Sequence, residues 1–217
     1  MKYIEIEILM KMIIKDQKTL ENSCTELSKK LPEFERILNI HGFPRMRKSA
    51  GGFKSLLKTI VSQQLSVAAA KNIWERVEDG GFSSLKGAKS AEESDLRSVG
   101  LSRQKIKYFK SLAFADIKYN PLHKLEDHEV ISELTSVKGI GLWTAEIYLM
   151  FSMMRSDIFP AGDLALQISA SYLLSCNEKL NEKRIREVSS SWSPNRTAAA
   201  LMLWDYYTTV KNRKGIF

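Results

Sequence analysis

A lone carboxylate, Asp163, follows the turn-forming run Phe159-Pro160-Ala161-Gly162 and stands at the start of an apolar helical segment. A helix N-terminus favours the ionised form of a carboxylate, the form that can face a developing positive charge. Its plain role is to cap the helix from Leu164 to Leu174, and capping is compatible with catalysis. Upstream lies Val137-Lys138-Gly139-Ile140-Gly141, a tight hairpin. Its two glycines remove side chains where a backbone must bend sharply or a ligand must come close. The helix beginning near Leu142 presents unpaired amides as far as Thr144, a ready anion site, and Lys138 adds charge in the turn. The alternative is a simple turn between packed helices. It is not a dinucleotide fingerprint, because no strand precedes it and the third glycine is missing. Trp143 shares a helical stripe with Ile147, Met150 and Met154, which ordinarily means packing. It also sits at the mouth of the hairpin, where its face could stack on an extruded base, a cationic one above all. Gln63-Gln64 interrupts two apolar helices at a loop tip. The pair is either ordinary surface or a probe whose amides enter DNA and replace a missing base. A phosphate-binding hairpin with a carboxylate placed behind it points to chemistry on DNA.

The elements that must position these residues read as helices. Asp16 to Lys30 forms one, stopped before Pro32, and Pro32 to Leu38 a short second; His41 to Lys48 is a basic loop. Phe53, Leu56, Leu57, Ile60 and Val61 follow the spacing of a buried helix face. Ser66 caps the next helix, with Ala70, Ile73, Trp74 and Val77 on one side and Gly80-Gly81 at its end. Ser90-Ala91-Glu92-Glu93 reads as a capping box opening a short helix that stops at Gly100. Ser102 caps a helix with Ile106, Phe109 and Ala113 inward and Arg103, Lys105, Lys107 and Lys110 outward. Asp127 can cap the helix that runs into the hairpin and ends near Ser136. Asn181 to Val188 and Pro194 to about Val210 close the chain, with Pro194 suited to a first turn. About ten helices and no convincing strand pairs make the fold all-α.

The 217 residues suffice for one or two compact domains. Lys and Arg number 33 against 25 Asp and Glu, a surplus of 8, and the pI is about 9.4. That balance favours a nucleic-acid or anionic partner. The two cysteines, Cys24 and Cys176, are far apart and have no nearby His, so they build neither a zinc nor an iron–sulfur site, and a reducing compartment fits best. The start, MKYIEIEILMKMII, is a poor signal peptide and too short to span a membrane. An edge strand, a ragged helix and disorder all stay open there, and Met10 or Met12 offers an internal start.

With these residues assembled, the chain resembles helix–hairpin–helix DNA glycosylases, in particular the alkylated-base branch (3-methyladenine-DNA glycosylase II). The resemblance runs from about Pro44 to Tyr207. It rests on Gly52-Phe53 through Ile60-Val61-Ser62-Gln63-Gln64-Leu65-Ser66-Val67, on Val99 to Lys105, and on Val137 to Ala145 followed by Pro160-Ala161-Gly162-Asp163. It implies an all-α fold of two helical lobes with a central cleft. One lobe joins residues 1–54 to 156–217 and carries Asp163; the other, 55–155, carries the hairpin. The larger members' extra β domain does not fit this length, so the compact form is expected.

The implied activity is flipping and hydrolytic excision of alkylated purines such as 3-methyladenine in base excision repair, leaving an abasic site. A purine methylated at N3 or N7 is already cationic and needs no strong general acid. Asp163 would stabilise the oxocarbenium-like sugar and orient or deprotonate the attacking water. A lysine at the position of Trp143 gives bifunctional glycosylase/lyases in this family; the tryptophan here implies a monofunctional enzyme. By the same resemblance Trp143, Gln63 and Tyr148 contact the substrate, and Gln64, Leu65, Ser66, Arg103, Lys105, Lys138, Gly139, Gly141 and Thr144 contact DNA. The carbonyls of Thr135, Val137 and Gly139 could hold a structural Na+ or K+; no other cofactor and no iron–sulfur cluster is expected. The expected partner is double-stranded DNA with an alkylated base, met by a monomer away from membranes, in the cytoplasm (at the nucleoid in a bacterium) or in a eukaryotic nucleus. Pocket aromatics of some relatives are replaced by Ile147 and Asn195, which leaves the lesion range open. Three other readings remain: a hairpin protein that binds DNA without catalysis, a glycosylase for uracil, mismatches or oxidised bases, and an interaction protein unrelated to DNA.

Overall fold

The structure is a computed structural model and describes residues 13–211. The alternatives for the N-terminal segment fall on residues 1–12, outside those described. Among the described residues the regular structure is helical apart from an isolated antiparallel bridge between Ile13 and Arg155. No helix among them is long and apolar enough to cross a membrane.

In chain order, α1 (Gln17–Lys30) is capped by Asp16, whose carboxylate accepts from Thr19 N–H. Helix α2 (Pro32–His41) runs three residues past the expected Leu38, because the chain turns only at Gly42, with φ 70° and its N–H on Leu38 O. Next come α3 (Gly52–Ser62) and α4 (Val67–Asp79), the latter capped by Ser66. Helices α5 (Leu85–Ser90) and α6 (Glu93–Ser98) follow, then α7 (Arg103–Phe114), capped by Ser102, and the single turn α8 (Tyr119–Leu122). Helices α9 (Asp127–Thr135) and α10 (Leu142–Phe151) flank the hairpin. Helix α11 (Leu164–Leu173) starts at Asp163, α12 (Glu182–Ser189) at Asn181, and α13 (Arg196–Val210) follows a 3-10 turn at Ser190–Trp192.

Three cap assignments change. The capping box before α6 is built by Glu92 and Asp95, while Ser90 ends α5 with its hydroxyl donating to Gly87 O. The box before α9 is Glu126 with Glu129, which makes Asp127 the first helical residue rather than the cap. Pro194 lies outside α13, after a cis peptide bond, with Asn195 at the cap.

Two compact units divide the chain, Ser49–Ser152 and Met1–Lys48 with Met153–Phe217. The sequence placed these breaks at 54/55 and 155/156. Local bonding moves them. Ser49 N–H donates to Phe151 O, Gly52 N–H to the Tyr148 hydroxyl, and the hydroxyls of Ser55 and Ser152 pair, so the lead-in to α3 belongs with α10. On the other side, Ile14 N–H donates to Met154 O and the Thr197 hydroxyl to Arg155 O, which ties 153–156 to the flanking segments.

In the inserted unit, α3 is the hub, packed by α4, α7 and α10, with Leu56, Leu57, Ile60 and Val61 fully buried. In the other unit α13 is the hub, against α1, α2 and α11. Its run Ala198-Ala199-Ala200 is buried and lets neighbouring backbones come close. An aromatic cluster braces it, with Trp192 edge-on to Phe34 (centroids 5.3 Å) and to Phe159 (5.1 Å). The α13 start is pinned by Asp157, which accepts from Arg196 N–H, from Nε and Nη2 of its guanidinium at 2.8 and 2.9 Å, and from the Ser193 hydroxyl.

Candidate functional site

The hairpin between α9 and α10 is closed by Ile140 N–H on Val137 O. Gly139 has φ 100°, a region costly for any side chain, and a Cβ there would lie 2.4 Å from Tyr108 Cγ. Tyr108, on α7, therefore packs directly on the turn, and no local spacing in the sequence points to it. Gly141 is different. Its φ is −92°, and a Cβ would meet nothing within 4 Å, so it opens the space beside the helix start. Within α10, Ala145 N–H is the first amide bonded back to the turn, at Gly141 O; the amides before it stand at the helix mouth. Lys138 is exposed in the turn, Leu142 is 39% exposed beside it, and Trp143 is half-buried.

The loop between α3 and α4 is stitched to this hairpin. Gln63 Nε2 donates to Gly139 O (3.1 Å) and to Thr144 Oγ1 (3.2 Å). Gln64 follows with φ 56°, exposed, and Leu65 is 38% exposed. The Ser66 hydroxyl caps α4 through Ala69 N–H. Lys105 reaches across from α7 and donates from Nζ to Val61 O at the end of α3. Burial of that ammonium lowers its pKa.

Several sequence expectations are thereby corrected. For Thr144 the expected anion contact is the backbone amide, and that expectation stands apart from its side chain, which is buried and takes the Gln63 amide. The Lys105 ammonium is turned to a helix end. The Tyr148 ring is buried and its hydroxyl accepts Gly52 N–H at 2.9 Å, a structural use within its own unit that replaces the expected substrate contact. The Gln63 amide nitrogen faces the hairpin rather than a base. Gln64, Leu65, Arg103 and Lys138 remain exposed. Of the expected carbonyl set, Val137 and Gly139 each accept one hydrogen bond, and a carbonyl has two lone pairs. Neutral oxygens of this kind suit a monovalent ion.

In the other unit, Asp163 caps α11 as expected. Its Oδ1 accepts Leu166 N–H at 3.1 Å and, in addition, the indole N–H of Trp204 at 3.2 Å. The preceding turn is held from behind, since Gln167 donates to Ala161 O and accepts from Lys179. Sequence reasoning missed Trp204, which sits in an apolar run that reads as core. The available signal was general: a partly buried indole N–H needs an acceptor. Cys24 and Cys176 are both free thiols.

A family model described as HhH-GPD superfamily base excision DNA repair protein matches residues 57–194. The chain is 32% identical over 177 residues to DNA-3-methyladenine glycosylase 1 of Schizosaccharomyces pombe, covering 75% of this chain and 78% of that protein. It is also 32% identical over 209 residues to the DNA-3-methyladenine glycosylase of Saccharomyces cerevisiae, with 85% and 70% covered. Among solved structures, the S. pombe 3-methyladenine DNA glycosylase in complex with abasic DNA is similar with a TM-score of 0.75 and 29% identity, covering 84% of this chain and 95% of that one.

Proposed function

The chain belongs to the HhH-GPD superfamily of base excision DNA repair proteins, and from that membership we propose that it is a monofunctional glycosylase that hydrolyses the N-glycosidic bond of alkylated purines such as 3-methyladenine in double-stranded DNA. The observation that carries this reading is the Asp163 carboxylate, held at the N-terminus of α11 with Oδ1 fixed by two N–H donors. A carboxylate so held is preorganised against a cationic sugar and costs no reorganisation when charge develops.

The chemistry divides among the residues as follows. The Gly139–Gly141 turn and the α10 amides take a phosphate, with Lys138 beside them, and the carbonyls of Thr135, Val137 and Gly139 would hold a Na+ or K+ there. Gln64 and Leu65 enter the base stack, and the Trp143 face receives the flipped cationic base. The leaving purine carries its own positive charge, so C1′–N cleavage needs no strong acid. Asp163 faces the oxocarbenium-like sugar and takes a proton from the water that attacks C1′. Trp143 stands where a lysine would supply an amine nucleophile, so the product is an abasic site. The protein acts as a monomer.

Base release from methylated duplex DNA tests this, with the freed base identified. Wild type should release 3-methyladenine, and Asp163→Asn should be slower by at least about a hundredfold, the scale of losing one key electrostatic group. Equal rates would end the catalytic assignment. Binding without release by both proteins would leave a DNA-binding hairpin protein.

A further inference from the structure

We propose that Trp204 is a positioning residue for the Asp163 carboxylate: its indole N–H, together with the Leu166 amide, sets the plane in which Asp163 meets the sugar and the attacking water. The inference rests on Asp163 being the catalytic carboxylate.

A cap bond alone leaves a carboxylate loosely oriented, because an aspartate can keep one oxygen near the N3 amide while its plane swings about χ2. Here Oδ1 is held from two elements. Leu166 N–H belongs to the helix that Asp163 itself opens, and Trp204 Nε1 comes from α13, 41 residues further along the chain. With Oδ1 fixed from two directions, the direction of Oδ2 is defined as well. The second donor stands on the hub helix of its unit. Helix α13 packs on α11 more extensively than on any other helix of its unit, and its Ala198, Ala199, Leu201 and Met202 are buried. Its first turn is locked by the Arg196–Asp157 bonds. Trp204 thus carries the rigidity of the hub helix to the carboxylate. An indole N–H is also the right kind of donor for this place. It has no acceptor lone pair and does not titrate, so it cannot take the proton that Asp163 must receive from water, nor compete for that water as a base.

The test separates positioning from folding. Single-turnover base release is measured on a duplex carrying one alkylated purine, and affinity is measured on the same duplex carrying a stable abasic-site analogue. Trp204→Phe should lose about ten- to a hundredfold in the release rate, the effect of removing one hydrogen bond to a charged group at the reacting centre. Affinity for the abasic duplex should stay within about twofold, because the bond acts on the transition state rather than on ground-state binding. Replacing the Trp204 indole by benzothiophene, which keeps the ring and lacks the N–H, should give the same loss with an unchanged thermal melt. A benzothiophene protein that releases base at the wild-type rate would overturn the proposal, and it decides the question even where Trp204→Phe does not fold. Asp163→Asn is run beside them. If that variant is as fast as wild type, the catalytic reading has failed; if it is slow while both Trp204 variants are fast, only the positioning role has failed.

Discussion

Asp163 and Tyr148 mark the limits of residue-level reading. The cap role of Asp163 was legible because a cap involves residues three apart. Trp204, its other donor, is 41 residues away, and only the packing of α13 brings it there. Tyr148 was assigned to substrate by the family resemblance, yet its hydroxyl accepts Gly52 N–H across 96 residues. Tyr148→Phe should therefore lower stability by about 1 kcal/mol, the usual scale of one hydrogen bond. It should leave base release per folded molecule nearly unchanged. Denaturant unfolding and single-turnover kinetics on the same sample check this, and a weakened substrate affinity at constant stability would restore the substrate role.

At the scale of elements, the longer helices were readable, α3, α4 and α7 from their apolar stripes and α1 and α11 from their bounding residues. Of the short ones, α6 was readable from its capping box, while α5 and α8 were not. Helices α5 and α8 span six and four residues, too few for a period to show. The hairpin was legible as a turn, while its support was hidden, since Tyr108 and Gln63 reach it from α7 and from the end of α3. The two hairpin glycines now have separate reasons, and substitution should separate them. Gly139→Ala puts a Cβ against the base of the Tyr108 side chain at a positive φ. It should cost about 2 kcal/mol or more in unfolding experiments and weaken DNA binding with it. Gly141→Ala meets no neighbour and keeps an ordinary φ. It should unfold like wild type while binding duplex DNA less tightly, because the methyl occupies the space a phosphate would use. Unchanged affinity in Gly141→Ala would argue against a phosphate at this turn.

For the whole molecule, the helical pattern was enough to read an all-α fold, while the surplus of 8 positive charges only favoured a nucleic-acid or anionic partner; the DNA reading needed the hairpin, the carboxylate behind it and the family resemblance. The boundaries of the two units were not legible, because they depend on backbone bonds such as Ser49 to Phe151. Stability against acid should depend on Asp157. Burial alone would raise its pKa, but hydrogen bonds from Arg196 and Ser193 and the charge of Arg196 outweigh burial and hold it below the ordinary 3.8. Protonation therefore favours the unfolded chain. The stabilisation is complete above the ordinary value and is lost as pH falls through the lower, folded one. Arg196→Met should cost about 3 kcal/mol at neutral pH by leaving a buried carboxylate unpaired, and should flatten the acid side of the stability curve. Thermal melts from pH 7 down to pH 3 measure both. A last consequence concerns motion along DNA. Because the Gln63 amide ties its loop to Gly139 and Thr144, these bonds hold Gln64 at a set distance from the hairpin turn. In the proposed function the pair would work as a gauge: with the turn on one phosphate, the same spacing would set which base pair lies under Gln64 at every step along the duplex.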